Sequence, residues 1–355
     1  MDLIRPFERD DIPQVSELFR AAFLHNGDHE TATIEAYFAH VFFENPWHDD
    51  ELRSLVHVAD GGSIDGFVGV QPKRWRFRGR RLRVVTATKL MTSSSAAPLV
   101  ASRLLRRVLA GPQDLLFSDI TNEAGRRIFE ALGGATIPLY SLKWQRPVRP
   151  ARHALSWLRA HGVPALLTHS LRPLGSAADT VLARWGPARS RSASDECSID
   201  DLSLDVITKH LPDLLANRAL QPDYDTPWLE WLLRVAQQTA PQCVLRRRLV
   251  RDTEQAPVGW FLYFVDPDGR AEVLQIAARK EARALVFDAL LADAWSAGAA
   301  MLSGRLEPTM VREMSTRHCY FRQADHWTLV QTRDPEILAT IASGNAFLSR
   351  LEGEW

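Results

Sequence analysis

Three side chains in the second half of the chain could accept a proton from a reacting group. Glu272 begins a predicted strand, Glu307 ends the next one, and His318 lies on the predicted helix that follows. Carboxylates and imidazoles are common general bases. We therefore predict catalytic roles for these three, with a structural or surface role as the alternative for each. Cys319 is a candidate nucleophile, but the sequence offers it no supporting triad.

A run of small and hydroxyl residues in the first half could bind an anion. The run Ser93-Ser94-Ser95-Ala96-Ala97 precedes a helix predicted to begin near Pro98. Amide groups at a helix N-terminus attract phosphate, and serine hydroxyls can add donors. However, Pro98 has no N–H, and the run has no glycine to let a phosphate approach the backbone closely. A helix with an ordinary serine cap is the alternative.

Composition and charge exclude several classes of protein. The chain has 355 residues, of which 46% are hydrophobic and 24% charged, and its 43 basic residues balance 43 acidic ones. These proportions exclude a disordered chain, a collagen and a coiled coil, and the length suggests two domains. A net charge of zero gives no overall attraction to nucleic acid, so we expect no nucleic-acid partner. Three isolated cysteines, a charged start and no long apolar run predict a cytoplasmic protein without a metal site.

Two similar series of elements are predicted along the chain. Hydrophobic spacing gives the order helix, helix, three strands, helix, strand, helix, strand, first up to Trp144 and again, more weakly, after Ser194. The last strand of the first series is predicted at Thr136–Trp144 and the last helix of the second at Met310–Phe321. On the third strand of the first series, the alternating residues share one face: Leu82, Val84, Thr86, Thr88 and Leu90. Such a long internal repeat indicates a pair of similar domains of mixed α/β class. We predict domains at 1–148 and 194–335, followed by an apolar segment at 336–355 that docks on them.

The region between the two series, 149–193, is predicted to be a basic amphipathic connector. Several arginines there alternate with apolar residues, and Asp179 is its one acidic residue before Arg191. One interpretation is that 151–191 contacts a membrane surface or an acyl chain. The other is a connector whose apolar side packs on a domain while its arginines are solvated.

A second basic segment alternates arginines with aromatic residues. It reads Arg74-Trp75-Arg76-Phe77-Arg78, and further arginines follow on the next predicted strand. Such interleaving can bind nucleic acid through phosphate contacts and stacking. Because the net charge is zero, we favour a hairpin that packs its apolar face and turns its arginines to solvent or to a phosphate group.

Local sequences in the first half resemble the GNAT acyltransferase family. The start Leu3-Ile4-Arg5-Pro6, followed by Asp11-Ile12, is typical of that family, as is the stretch from Asp119-Ile120-Thr121-Asn122 to Ala131-Leu132-Gly133. The resemblance covers about residues 2–146, whereas over 196–333 it depends on the order of elements. It implies two tandem GNAT-like domains, each a twisted mixed sheet flanked by helices.

The resemblance also implies a place for acyl-CoA, either acetyl-CoA or a longer one. Pantetheine would pair with the fourth strand, and the pyrophosphate would lie at the start of the next helix. The residues implied in cofactor binding are Lys89, Leu90, Met91, Thr92, Ser94, Ser95, Ala97, Ala101, Ser102, Asn122 and Phe129. Ala96 and Leu99 stand where the family's phosphate motif has Arg or Gln and a glycine. Phe129 stands where the family often has a tyrosine that protonates the leaving thiolate, which a phenyl ring cannot do.

The function implied is transfer of an acyl group from CoA to a small-molecule amine by direct attack. Glu307, His318 or Glu272 would then take the proton from the amine. Two alternatives remain open. The first is a non-catalytic binding protein of the same fold, which the changed phosphate motif and Phe129 favour. The second is a Fem-like transferase that uses aminoacyl-tRNA, which the arginine-rich hairpin would suit.

Overall fold

The computed structural model describes residues 3–23, 31–93, 97–160, 178–179 and 197–355. The elements of the first half are β1 Leu3–Pro6, α1 Ile12–Phe23, α2 Thr31–Phe43, β2 Leu55–Val58, β3 Ile64–Phe77, β4 Arg80–Thr92, α3 Ala97–Leu109, β5 Leu115–Thr121, α4 Glu123–Ala131, β6 Ala135–Thr136, β7 Leu142–Pro147 and α5 Pro150–Ala160. Those of the second half are β8 Ser198–Asp201, α6 Leu204–Leu214, β9 Leu220–Pro222, α7 Thr226–Thr239, β10 Val244–Arg251, β11 Pro257–Val265, β12 Arg270–Ala278, α8 Arg283–Ser296, β13 Met301–Arg305, α9 Val311–Thr316, β14 Tyr320–Gln323, β15 Trp327–Thr332 and α10 Pro335–Ala342.

The strands form two mixed sheets flanked by helices, which confirms the predicted fold class. The first sheet has the order β1-β2-β3-β4-β5-β15-β6, with β9 paired to β3, and the second has the order β14-β7-β13-β12-β11-β10-β8. In the first sheet β4 and β5 are parallel, and in the second β12 and β13 are parallel. The other pairings are antiparallel, so the two sheets are built alike.

The first half gives one strand to the second sheet, and the second half gives two to the first sheet, one of them the short strand β9, which pairs with β3. Strand β7 pairs with β13 and β14 in the second sheet. Strand β15 pairs with β5 and β6 in the first sheet. The sheets therefore do not coincide with the chain segments 1–148 and 194–335, although those segments follow the repeat in the sequence.

Two predicted elements differ from the structure. The strand predicted over Thr136–Trp144 is interrupted by a 3-10 turn at Pro138–Ser141, because Pro138 cannot donate to a sheet. The helix predicted over Met310–Phe321 ends at Thr316. There His318 has φ 58°, and the amide of Cys319 donates to Met314 O (3.0 Å) in a Schellman-type helix end. His318 therefore follows the helix instead of lying on it.

The two halves share a hydrophobic core. One cluster of buried side chains contains Phe38 and Phe67 from the first half together with Trp228 and Leu274 from the second. It also contains Trp355, the last residue of the sequence. Because apolar burial is the main favourable contribution to folding, this shared cluster fixes the two sheets relative to each other.

The arginine-rich hairpin joins the halves through ion pairs. Trp75 and Phe77 are buried, as the sequence predicted for its apolar face. Its arginines pair with acids: Arg74 with Asp225, Arg76 and Arg81 with Asp223, Arg78 with Glu336, Arg80 with Asp334, and Arg83 with Asp49 and Glu51. These charges are therefore balanced within the protein.

The predicted connector lies mostly outside the described residues. Of the stretch 151–191, the structure describes the rest of α5 and residues 178–179. Asp179 accepts hydrogen bonds from the amides of Ala151 (2.7 Å) and Arg152 (3.1 Å), so it caps the start of α5. In the part of the chain that the structure describes, no helix is both long and apolar enough to cross a membrane.

Candidate active site

The parallel strands β4 and β5 separate in the middle of the first sheet. They pair from Val84–Leu115 to Thr86–Phe117 and then diverge, although both strands continue. Near the divergence β4 contains a bulge, where Lys89 adopts φ 50° and the register with β3 shifts by one residue. A bulge bends its strand away from its neighbour. We call the region between β4 and β5 beyond Thr86 and Phe117 the strand gap.

The last residues of the sequence enter the strand gap. Glu354 Oε1 accepts hydrogen bonds from Ser118 Oγ (2.5 Å), the amide of Asp119 (3.0 Å) and the amide of Ile120 (3.2 Å). Its second oxygen, Oε2, has no hydrogen-bond partner among the described residues. One carboxylate oxygen is thus fixed on β5, and the other can accept a proton.

A buried ion pair holds this segment in place. Asp119 pairs with Arg305 of the second sheet, and Asp119 Oδ1 accepts from the amide of Glu354 (2.8 Å). Burial opposes ionisation of Asp119, but Arg305 and Arg350 outweigh it and lower the pKa of the carboxyl group. A Cβ added at Gly353 would overlap the Asp119 carboxylate, so only glycine allows this approach. The pair therefore positions Glu354.

Lys73 is a buried cation on β3 beside the same segment. Its Nζ donates to the carbonyl oxygens of Glu352 and Gly353, the latter at 3.0 Å, and lies 5.2 Å from the centre of the Phe117 ring. Burial lowers the pKa of Lys73 to about 8, against the opposing effect of Asp119 and Glu352. An ammonium has three N–H groups, so one remains after the two carbonyl contacts.

Glu352 links the segment to the second sheet. Its Oε1 accepts from the hydroxyl of Tyr224 and from Gln275 Nε2 (3.0 Å), and its Oε2 accepts from the amide (2.7 Å) and hydroxyl (2.6 Å) of Ser349. Burial raises the pKa of Glu352, and it also raises the pKa of Tyr224. This network fixes the chain just before Glu354.

Helix α2 contacts the last residues of the sequence through Tyr37. Tyr37 donates its hydroxyl to the backbone oxygen of Trp355 (2.5 Å), and Lys89 Nζ lies 6.0 Å from the centre of the Tyr37 ring. Burial raises the pKa of Tyr37, although Lys89 acts in the opposite direction. The strand gap is therefore surrounded by β3, α2 and the last residues of the sequence.

Four of the predicted cofactor residues lie at the strand gap. Lys89, Leu90, Met91 and Thr92 form the diverging end of β4. Ala97, Ala101 and Ser102 lie on the first turns of α3, with Ala101 buried, and Ser94 and Ser95 are outside the described residues. Asn122 Oδ1 caps α4 by accepting from the amide of Gly125 (2.9 Å), and Phe129 is buried in the core beneath Gly134. Phe129 has a packing role in this structure.

The three predicted catalytic residues do not converge. Glu307 is buried, pairs with Arg218 and accepts from Thr309 Oγ1 (3.0 Å). The Glu272 side chain is 46% exposed and lies 3.9 Å from Arg350, and His318 is exposed. Among the described residues these three side chains have no hydrogen-bond or ion-pair partner in common, so the structure shows no single site that contains all three.

Sequence reasoning missed the ionisable groups that do meet at the strand gap, namely Lys73, Asp119, Glu352 and Glu354. Asp119 comes two residues after the buried Phe117 on the same face of its strand, which is a signal for a functional residue, whereas Lys73 lies among other polar and basic residues and gave none. Glu352 and Glu354 gave no such signal, because nothing in the sequence shows where the last residues lie. Within the described residues, no group of three or more His, Cys, Asp or Glu side chains could hold a metal ion.

Comparisons with known proteins identify the fold. No protein-family model and no curated protein matches the sequence. Among solved structures, the chain is similar to a GCN5-related N-acetyltransferase from Anabaena variabilis, with a TM-score of 0.60 and 12% identity over 93% of this chain and 72% of that one. It is also similar to a probable N-acyltransferase of unknown function from Enterococcus faecalis V583 (TM-score 0.57, 10% identity, 94% and 73% covered).

A third similar structure contains an acyl-CoA. It is Saccharomyces cerevisiae N-myristoyltransferase with bound myristoyl-CoA, with a TM-score of 0.53 and 11% identity over 93% of this chain and 82% of that one. At these identities the likeness concerns the fold alone. The chain therefore has a GNAT-like fold, as the sequence resemblance predicted.

Proposed function

We propose that the protein is an N-acyltransferase that moves an acyl group from acyl-CoA to a small-molecule amine. The observation that carries this proposal is the strand gap, which places free β4 backbone opposite a fixed carboxylate, that of Glu354. The fold supports it, because the similar structures include N-acetyltransferases and an enzyme with bound myristoyl-CoA. Fold alone does not establish activity, so the site must be tested directly.

The reaction needs few groups from the protein. The amine nitrogen attacks the thioester carbonyl carbon, and backbone N–H groups of β4 near Lys89 stabilise the developing oxyanion. The new C–N bond forms, the C–S bond breaks, and the CoA thiolate leaves. Glu354 Oε2 takes the proton that the amine loses. Because Phe129 cannot donate a proton, water supplies the one that the thiolate takes up.

Glu354 suits the role of base better than the acids suggested by the sequence. Glu307 already holds the buried Arg218 guanidinium and the Thr309 hydroxyl, so protonating it would leave a buried cation unpaired. Glu272 lies against Arg350 at a half-exposed position. The free oxygen of Glu354 lies in the strand gap, where the proposed acyl-CoA and amine would meet.

Binding and turnover of acyl-CoA test the proposal. We expect acetyl-CoA, octanoyl-CoA or palmitoyl-CoA to bind in isothermal titration calorimetry and to release free thiol when a panel of amines is added. The chain length that binds best identifies the donor class. Binding without thiol release would favour the non-catalytic alternative, and no binding of any of the three would contradict the proposal.

Replacing Glu354 tests the assignment of the base. We expect Glu354→Gln to lower kcat by about 10²–10⁴-fold, because the amide keeps the hydrogen-bonding shape but accepts no proton. Thiol release measures the rate, and thermal unfolding checks that the fold is retained. Glu336→Gln is the control, since that carboxylate pairs with Arg78 on the surface. Equal rates in the two variants would remove Glu354 from the mechanism.

A further inference from the structure

Three polar side chains beside the strand gap are buried without a partner. Gln71 is 2% exposed, Thr86 is fully buried and Thr88 is 2% exposed. Gln71 Nε2 and the hydroxyls of both threonines have no hydrogen-bond partner among the described residues. We call these three residues the polar patch. Buried polar groups are nearly always hydrogen-bonded, so a patch of three such groups needs an explanation.

The polar patch occupies one continuous area of the first sheet. Gln71 faces Thr86 across the β3–β4 ladder, and Thr88, two residues further along β4, shares its face. Lys73 lies two residues from Gln71 and therefore on the same face. Gly69, opposite Thr88, has no side chain, and the Phe42 ring lies over it. The patch is thus bounded by Lys73 on one side and Phe42 on the other.

The same face leads directly to the strand gap. Thr86 pairs with Phe117 of β5, and Asp119 is two residues further on, where it holds Glu354. Lys73 contacts the carbonyl oxygen of Gly353, the residue before Glu354. A molecule whose reacting group lies at Glu354 can therefore place its next polar group on the patch.

The chemistry of the patch favours one kind of ligand. The Gln71 amide, the two hydroxyls and the remaining N–H of Lys73 are all able to donate hydrogen bonds. The Asp119 carboxylate is already paired with Arg305, whereas the contacts of Lys73 within the described part of the chain are with two backbone oxygens and the Phe117 ring. An acyl chain would leave these donors unsatisfied, but a carboxylate accepts several at once.

We propose that the polar patch and Lys73 bind the carboxylate of an amino-acid-like acceptor, whose amino group then faces Glu354. This inference rests on the proposed function for its reaction, but the binding it describes can be measured without turnover. The patch is thereby a specificity-determining site for amines that also carry a carboxylate.

Matched ligand pairs test the inference on the unaltered protein. The probes are glycine, serine, phenylalanine and lysine, each compared with the amine that lacks its carboxylate: methylamine, ethanolamine, 2-phenylethylamine and cadaverine. Calorimetry is done with and without CoA. We expect at least one amino acid to bind about tenfold or more tightly than its partner amine. A charge-assisted hydrogen bond to the carboxylate contributes a difference in affinity of about this size. Equal binding within every pair, or no binding of any amino acid, would overturn the inference.

Two threonine variants test whether the polar patch causes the preference for a ligand that carries a carboxylate. Thr86→Val and Thr88→Val keep the shape and remove one hydroxyl each. We expect about tenfold weaker binding of the preferred amino acid, unchanged binding of its partner amine, and no loss of thermal stability. Thr328→Val is the control, because that buried hydroxyl donates to Tyr140 O (2.9 Å). It should lower thermal stability without changing the preference between the two ligands.

The outcomes separate this inference from the proposed function. Selective amino-acid binding without thiol release from any acyl-CoA would reject the transferase and keep the carboxylate site. Thiol release with both members of every pair at equal KM would keep the transferase and reject the carboxylate site. Lower stability of both patch variants with unchanged ligand preference would show that the hydroxyls act only in folding.

Discussion

At the scale of single residues, the buried ammonium group of Lys73 is unfavourable for folding. Lys73 is almost completely buried, and its contacts are two backbone oxygens and an aromatic ring. Removing an ammonium from water is costly, so such a residue usually has a function. Its position between the polar patch and the last residues of the sequence matches the carboxylate-binding role proposed above.

The lowered pKa of Lys73 predicts a pH dependence of stability. Below pH 8 the side chain is charged in both the folded and the unfolded chain, so the cost of burial is fully present. Between pH 8 and the ordinary value of 10.5, the unfolded chain binds more protons than the folded one. The free energy of unfolding should therefore rise with pH over this range, by on the order of 3 kcal/mol from this residue.

Urea unfolding from pH 7 to 10.5 measures this contribution. Lys73→Met is the comparison, because it fills the same space without a titrating group. The difference in free energy of unfolding between the wild type and the variant should change with pH in favour of the wild type. A constant difference across the range would mean that the ammonium keeps its ordinary pKa in the folded protein.

At the scale of elements, the bulge in β4 and the glycine opposite it shape the site. Lys89 adopts a left-handed conformation that L-residues rarely take, and the register shift lies between Phe67 and Gly69 on β3. Unusual backbone of this kind persists where the surrounding structure holds it. Here the bulge lies where β4 separates from β5. Gly69, which has no side chain, lets the Phe42 ring approach the sheet.

Gly69→Ala should disturb this arrangement. The added Cβ would lie 2.6 Å from Phe42 Cε1 and 2.9 Å from Thr88 Cγ2, closer than atoms normally pack. We expect the variant to lose about 1–3 kcal/mol of stability in urea unfolding, as overpacked sites do. Gly61→Ala is the matched control, because nothing lies within 4 Å of its added Cβ. Equal stability of the two variants would show that Phe42 moves aside freely.

At the scale of the whole molecule, the exchange of strands makes the two halves interdependent. Strand β15 lies in the first sheet, β7 lies in the second, and the largest described apolar cluster contains side chains of both halves. The buried pair of Asp119 and Arg305 links the sheets at the site itself. Neither sheet is complete without the other half of the chain.

We therefore expect the protein to unfold in one cooperative transition. Calorimetric and van't Hoff enthalpies should agree despite the repeat in the sequence. Leu329→Ala removes a buried side chain of β15 and should cost about 2–5 kcal/mol. Hydrogen exchange should then show the same loss of protection in β5 of the first sheet and β11 of the second. Loss confined to the first sheet would show that the halves unfold separately.

The sequence by itself determined the mixed α/β class, the resemblance to the GNAT fold and most of the element order, although not the short strands β8, β9 and β14. These depend on local spacing, which the chain carries in each segment: Ile12, Val15 and Leu18 are buried on α1 as their spacing predicts. On β4 the predicted alternation holds from Leu82 to Thr88 but not at Leu90, because the bulge at Lys89 turns Leu90 to the other face of the sheet. The resemblance also predicted that Lys89–Thr92 form the end of the fourth strand, which is where β4 diverges from β5.

Only the tertiary structure decided which residues form the site. The contact of Glu354 with Asp119 and that of Lys73 with Gly353 join positions more than 200 residues apart, and the exchange of β7 and β15 is equally non-local. Local patterns cannot encode such pairings, because they arise when apolar faces of distant segments are buried together. For the same reason, Glu307 looked available in the sequence but is occupied by Arg218 in the fold.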